Sequence, residues 1–283
     1  MKIKVLYEDS NVLAIDKPSG ISVHGDGRSK EKTIADWVLK NYPKMKNVGE
    51  PMRAEVSAKF LSPKVQLANA GGKILQTLPR PGIVHRLDRE TSGVMLLAKN
   101  QKAFLFLKSQ FQNREIKKTY YAIVSGSVKN DRGIINKPIG RSPKDFRRYS
   151  AGRGARGEMR EAITEYKVLK RFETQACENF SSCALPGVPV GTFEDKNFHK
   201  LASIKFTYLE IRPKTGRTHQ IRVHLKYLNH PIVCDSLYNP NAPCPMGLSR
   251  LALHAKSIEF KNLKGKIVKV ESSIPIEFKK AIK

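Results

Sequence analysis

Apolar residues recur along this chain in two rhythms, one of period two and one of about 3.6, and the elements follow from where each rhythm holds. Residues 3–16 read as two strands joined at the turn cluster Glu8-Asp-Ser-Asn11, and Lys17-Pro-Ser-Gly20 ends the second. Thr33 is placed to cap a helix that carries Ile34, Trp37 and Val38 on one face. Ile83 and Val84 close a further strand. Glu90-Thr-Ser-Gly93 supplies turn chemistry, and Val94-Met-Leu-Leu-Ala98 is an apolar run of buried-strand length. Phe104, Leu107 and Phe111 mark the core face of a helix from Gln101 to Asn113. Strands are expected at 118–125, 162–172, 204–212, 251–260 and 266–273. A helix capped by Thr218 is expected to run through Leu228 with Ile221, Leu225 and Leu228 inward, and Pro275 permits a short terminal helix. Strands outnumber helices and most are joined by short turns, so the pattern predicts an α+β fold around a mixed, mainly antiparallel sheet. No internal repeat or dividing linker is present, and residues 1–283 read as a single domain.

Three stretches break the rhythm. Residues 43–80 scatter Pro, Gly and Lys through weak periodicity and read as an insertion or flexible segment. Residues 174–200 hold two cysteines with Gly and Pro turn signals and read as a second insertion. Residues 140–160 are rich in arginine and glycine and read as a mobile basic loop. Within it Phe146, Arg147, Arg148 and Tyr149 interleave cations with aromatics, the combination that pairs phosphate and stacks bases.

Charge narrows the partner. Against 25 Asp and Glu stand 52 Lys and Arg, a formal net charge of +27. That imbalance points to a polyanion, with an acidic membrane surface the weaker option. No apolar run approaches the ~20 residues that span a bilayer, and no signal-peptide core opens the chain, so a cytoplasmic protein is expected. The four cysteines, Cys177, Cys183, Cys234 and Cys244, include no C-x-x-C pair; free thiols are expected and no metal site. Charge repulsion favours a monomer.

The segment His85-Arg-Leu-Asp-Arg-Glu-Thr-Ser-Gly93 sets one carboxylate, Asp88, between Arg86 and Arg89. Cationic neighbours favour the ionised form, and an ionised carboxylate on a tight loop can act as a nucleophile. The residues alone equally allow an Asp–Arg surface pair. A metal-dependent nuclease built on Asp88 and Glu90 lacks the further acidic residues that a two-metal site demands.

This segment, followed by an apolar strand, resembles the catalytic motif of the RluA-type pseudouridine synthases. Val12-Leu-Ala-Ile-Asp-Lys-Pro-Ser-Gly20 with His24 resembles the family's first strand and loop, and Lys118-Thr-Tyr120-Tyr-Ala122 its tyrosine motif. Thr215-Gly-Arg-Thr-His-Gln-Ile-Arg-Val-His-Leu225 resembles the third motif, and Leu251-Ala-Leu-His-Ala255 a late strand. The resemblance implies the pseudouridine synthase fold, a curved central sheet with an RNA cleft across its middle. It also implies isomerisation of specific uridines in structured RNA, large-subunit ribosomal or transfer RNA, without metal or organic cofactor. A chain starting at the catalytic domain, without the small S4 RNA-binding domain of many members, is expected. A non-catalytic RNA-binding or ribosome-assembly factor on the same fold is the alternative.

The roles carried over are specific. Asp88 would attack C1′, add to C6, or assist formation of a glycal. Arg222 would be its guanidinium partner, Tyr120 would lie against the uracil, and Arg86 would fill the space left by an everted nucleotide. Tyr121, on the opposite strand face, should have another environment. Lys17, Arg89, Arg217, Arg147 and Arg148 are candidate RNA contacts, and His85 reads as a structural hydrogen-bonding residue.

Overall fold

The first apolar pair forms a hairpin of β1 (Lys4–Glu8) and β2 (Val12–Lys17). Its turn is held by Asp9, whose Oδ1 accepts the N–H groups of Asn11 and Val12 at 2.7 Å each. The structure is a computed structural model and describes residues 1–25, 31–50, 52–57, 73–78, 80–152, 155–175, 203–240, 242, 244 and 247–283.

Helix α1 (Ile34–Asn41) begins as the pattern predicts. Thr33 accepts from the Asp36 N–H while the Asp36 carboxylate accepts from the Thr33 N–H, a reciprocal cap. Ile34 and Val38 pack with Met45, Ile83 and Met95 in one core cluster. Of residues 43–80, read above as an insertion or flexible segment, residues 51, 58–72 and 79 lie outside the described residues. The described part holds a 3₁₀ turn, Pro43–Met45, and two strands, β3 (Met52–Ser57) and β4 (Lys73–Leu78), that pair antiparallel. Backbone pairing sustains these strands where side-chain periodicity is weak.

Strand β5 (Ser92–Ala98) is buried at every position, and helix α2 (Gln101–Gln112) packs Phe104 and Leu107 into a shared cluster with Leu96 and Ala98. The remaining strands are β6 (Lys117–Ser125), β7 (Arg132–Asn136), β8 (Ile139–Arg141), β9 (Tyr149–Ala151), β10 (Arg156–Arg160), β11 (Ile163–Gln175), β12 (Ser203–Pro213), β13 (Leu253–Lys261) and β14 (Ile267–Glu271). Helices α3 (Gln220–Tyr227) and α4 (Ile276–Ala281) complete the described elements. The central sheet runs β1-β2-β5-β13-β6-β12-β11-β7, with β14 on β13. Its pairings are antiparallel except β5 with β13. The chain is thus α+β with a mainly antiparallel central sheet, as the pattern implied.

One transverse row of this sheet reads Lys17, Gly93, Ala255, Tyr120, Ile211, each opposite the next across successive strands. Gly93 is obligatory in that row. Its φ is +112°, and a Cβ there would lie 2.2 Å from the Ala255 carbonyl oxygen. The parallel pairing at the centre of the sheet therefore depends on the absence of a side chain at one position.

Residues 140–160 were expected to be a mobile loop, and the structure corrects this. Strands β10-β8-β9 form a separate three-stranded sheet. Gly140 serves close approach, since a Cβ there would meet the Met159 sulfur at 2.5 Å, whereas Gly157 in β10 supplies a positive φ of 74°. Ile139 of β8 is buried with Ala162, Val223 and Tyr238, which anchors this basic sheet against α3. The expected free thiols are also corrected in part: Cys234 and Cys244 form a disulfide. Cys177 and Cys183, with the expected insertion beyond Gln175, lie outside the described residues. Among the described residues no helix is long and apolar enough to cross a membrane.

Gly93→Ala should cost about 2–4 kcal/mol, because an alanine at positive φ is strained and its methyl meets backbone rather than a side chain that could yield. Urea denaturation checks this; an unchanged midpoint would show that β5 and β13 can separate at little cost.

Candidate active site

The loop that follows Ile83 is built from its backbone outward. His85 accepts the Leu96 N–H at Nε2 (2.9 Å) and its ring stacks on Phe111 at 4.7 Å between centroids. Burial pushes the imidazole pKa down to about 3, so it is the neutral ring that accepts. Leu87 is buried, and the Thr91 N–H returns to the Asp88 carbonyl at 3.1 Å. Asp88 therefore projects from a closed turn immediately before β5.

A second loop clasps the first. Gly20 donates its N–H to the Arg89 carbonyl (2.9 Å), and the Ser19 hydroxyl donates to the Glu90 carbonyl (2.6 Å). Lys17 was expected on the RNA-facing surface as a phosphate contact; the structure corrects this. Its side chain is fully buried, and Nζ donates to the carbonyls of Pro18, Ile21 and Arg89 at 2.9, 2.7 and 2.9 Å. An ammonium has three protons, and all three are used inside the protein. Arg89 is likewise spent on its own fold, donating to the Gly20 carbonyl and pairing with Glu31 and Glu90.

Arg222 reaches Asp88 from the first turn of α3. The helix starts one residue later than expected: His219, in the left-handed region at φ 56°, takes the cap position assigned to Thr218. The bidentate grip expected on Asp88 is made elsewhere. Arg222 donates Nε and Nη2 to the two oxygens of Asp235, at 2.7 and 2.6 Å. Asp88 Oδ2 instead lies 3.7 Å from Nη1, and its Oδ1 lies 4.0 Å from His219 Nε2. Asp235 is fully enclosed, whereas Asp88 is 18% exposed. The Arg222 guanidinium also sits over the Tyr238 ring, 5.0 Å from its centroid.

Asp88, Arg222 and His219 line one cleft of about 460 Å³, together with Arg86, Lys118 and Tyr120, while Asp235 and Tyr238 stand behind its wall. That volume falls in the ~300–1,000 Å³ range typical of small-molecule sites. Burial, reinforced by the charge of Asp88, pushes the Tyr120 hydroxyl pKa upward, so the phenol stays protonated at neutral pH. Tyr121 faces elsewhere and packs edge-on against Tyr208 at 5.4 Å. Lys118 is desolvated to a pKa of about 8, with Nζ 3.4 Å from the Thr215 carbonyl. Arg86 is exposed on the rim and makes no hydrogen bond or ion pair to a described residue. Arg217 lines the cleft and donates Nε to the Glu161 carbonyl. Arg147 and Arg148 lie outside the cleft on the β8–β9 turn and both pair with Asp145. Among the described residues no three His, Cys, Asp or Glu side chains gather as a metal-ligand set.

The expected residues Asp88, Tyr120, Arg222, Arg86 and Arg217 thus meet in one cleft. Asp235, Tyr238, His219 and Lys118 were not singled out. Asp235 carried a readable signal, an acid directly after the apolar run Ile232-Val233-Cys234, followed by Leu237 and Tyr238, whose N–H groups it accepts at 3.0 and 2.9 Å.

Lys17→Met removes three donors from buried carbonyls and should destabilise the fold by about 2 kcal/mol near neutral pH. Its pH dependence has a definite sign. Burial lowers the Lys17 pKa from 10.5 to about 8, so the penalty for holding it charged is complete below pH 8 and is relieved as pH rises toward 10.5. The stability gap between wild type and Lys17→Met should therefore widen over that window in urea titrations. A gap that stays constant would mean that Lys17 is not desolvated.

A family model described as RNA pseudouridylate synthase matches residues 11–227. An uncharacterized RNA pseudouridine synthase of Aquifex aeolicus is 33% identical over 236 residues, covering 83% of this chain and 56% of the relative. Ribosomal large subunit pseudouridine synthase D of Borreliella burgdorferi is 31% identical over 276 residues, covering 98% of this chain and 66% of the relative. The chain therefore spans little more than half of the first relative's length and just under two thirds of the second's. Among solved structures, human RNA pseudouridylate synthase domain containing 1 aligns with a TM-score of 0.63 at 19% identity, over 97% of this chain and 84% of that one, a likeness of fold. Sequence motifs, sheet order and the match across residues 11–227 agree: this chain belongs to the RNA pseudouridylate synthase family.

Proposed function

We propose that this protein isomerises uridine to pseudouridine in structured RNA, with large-subunit ribosomal RNA as the substrate class and Asp88 as the reacting carboxylate. The observation that carries this reading is the cleft in which Asp88, Tyr120 and Arg222 converge from three separate parts of the chain. The substrate class is drawn from relatives named for the large ribosomal subunit.

The reaction breaks the N-glycosidic bond, turns the detached uracil and joins C5 to the sugar. It is redox-neutral and consumes no water. What it asks of the protein is one ionised carboxylate held close to C1′ or C6, a surface against which the base can turn, and exclusion of water from the detached base. Asp88 supplies the carboxylate, partly exposed and with a cation 3.7 Å away. Tyr120, its hydroxyl kept protonated, offers a flat ring and a proton-bearing oxygen at the cleft wall. The target nucleotide must leave its stack to enter, and Arg86, unpaired among the described residues and two residues from Asp88, is suited to occupy the vacated space. Arg217, Lys118, and the arginines of the β8–β9–β10 sheet are the phosphate-facing cations of this reading. A purely RNA-binding factor would gain nothing from a carboxylate held inside a cationic cleft, where it repels phosphate.

Asp88→Asn is isosteric and should abolish conversion, lowering the single-turnover rate by on the order of 10³-fold or more while RNA affinity stays within a few-fold. Pseudouridine mapping on ribosomal RNA transcripts, with filter binding alongside, reads both quantities. Loss of binding together with activity would assign Asp88 a structural role instead. Affinity should also fall steeply with added salt, since Lys and Arg release counterions from phosphates; a flat response between roughly 50 and 300 mM would contradict a phosphate-dominated interface.

A further inference from the structure

We infer that Asp235 is a positioning residue for the proposed isomerisation: by taking both forked donors of Arg222, it holds that guanidinium beside Asp88 while preventing it from closing a bidentate pair on the reacting carboxylate. The inference rests on the isomerase reading above and deepens it.

The geometry is a relay of fixed parts. Asp235 is immobilised by its own turn, since Oδ1 accepts the N–H groups of Leu237 and Tyr238 as well as Arg222 Nη2. Oδ2 accepts Arg222 Nε. With its Nε–Nη2 edge engaged and the Tyr238 ring beneath the guanidinium, Arg222 is held in place. Nη1 is the nitrogen that approaches Asp88, and it stops at 3.7 Å, beyond hydrogen-bond distance. The same turn places the other neighbour of Asp88. The Tyr238 hydroxyl accepts the Tyr149 N–H at 2.9 Å and meets His219 Nδ1 at 3.0 Å, leaving His219 Nε2 directed at Asp88 Oδ1. One four-residue turn, Asp235 to Tyr238, therefore sets a group against each oxygen of Asp88.

The chemical consequence follows from counting charges. Arg222 carries one positive charge and faces two carboxylates. If it gripped Asp88 as it grips Asp235, the lone pairs needed for attack on carbon or for proton removal would be committed to N–H donors, and the nucleophile would be quenched. Shared as it is, the cation stands 3.7 Å from Asp88 and, among the described residues, leaves the Asp88 oxygens outside hydrogen-bond distance of its N–H groups. Asp235 acts through Arg222 and through the turn that carries Tyr238; it is fully enclosed and does not line the cleft.

The test is Asp235→Asn in the full chain. Asparagine keeps the oxygen that holds the turn but puts an amide opposite the Arg222 N–H groups, releasing the guanidinium to collapse onto Asp88. The expected result is a loss on the order of 100-fold in kcat on a ribosomal RNA transcript, the scale of a small misplacement at a reacting group. KM should stay within threefold and thermal melting should remain cooperative. A kcat within threefold of wild type, or an equal rise in KM that accounts for the loss, would overturn the inference. Should Asp235→Asn fail to melt cooperatively, Asp235→Glu replaces it, keeping the charge and shifting the carboxylate by one methylene. A drop of about 10-fold or more in kcat at unchanged KM is then expected, and wild-type kcat would overturn the inference. Failure of the isomerase reading looks different: the wild-type chain itself would make no pseudouridine, and both conclusions would fall together.

Discussion

One guanidinium between two carboxylates organises this protein. Arg222 is 6% exposed and Asp235 is fully enclosed, so the pair is a buried ion pair, and its attraction must offset a desolvation cost of several kcal/mol per ion. Hydrophobic residues of similar volume would stabilise the fold at least as well. The pair therefore makes sense as a specificity device rather than as a source of stability. It orients a cation at a place where a partly exposed carboxylate needs one, and it does so with bonds that are already satisfied before any substrate arrives. Preorganisation of this kind avoids reorganisation during reaction, which is where low-dielectric sites gain most over water.

The carboxylate side of this arrangement is equally rigid, for different reasons. Asp88 sits on a turn whose backbone is bound from below by Lys17 and from the side by Gly20 and Ser19. That turn feeds into β5 at Gly93, where the sheet changes from antiparallel to parallel pairing and the backbone of β13 comes within contact of the α-carbon. Tyr120 lies in the same transverse row. Distances among Asp88, Tyr120 and Arg222 are thus set by sheet register and by helix placement rather than by flexible loops. Register in a sheet with a buried face is hard to slip, because a one-residue shift would turn every side chain over. A site geometry tied to register inherits that resistance.

Much of this was legible in the chain, and the exceptions share a cause. β1, β2, β5, α1 and α2 follow directly from local periodicity and caps, because burial of their faces is decided within each segment. Asp88 and Arg222 were found through motifs of neighbouring residues. What remained hidden are pairings whose two halves lie in unrelated segments. Lys17 reads as one more surface cation until its acceptors, carbonyls at 18, 21 and 89, are brought round it. The 140–160 segment reads as mobile because charge and glycine dominate it, yet Gly140 is there to let Met159 cross. The one-residue error at the head of α3 has the same origin. A threonine is the better cap locally, but His219 takes the position because its side chain is engaged by Tyr238 and by the approach of Asp88.

This distribution also changes what a net charge of +27 means. Lys17 and Arg222 are internal, Arg89 holds two loops together, and Arg147 and Arg148 are paired with Asp145. These cations contribute to the long-range field that draws a polyanion in, but a charge already paired releases fewer counterions on contact than a lone one. Arg86 differs from them. Among the described residues it is unpaired; it stands at the rim, in the loop between Ile83 and β5, two residues before Asp88. Any force that RNA exerts on Arg86 is thus transmitted to the carboxylate through the shortest covalent path in the site. In the proposed reaction, recognition of an everted nucleotide and placement of the reacting group are linked, because a single loop carries both side chains two residues apart.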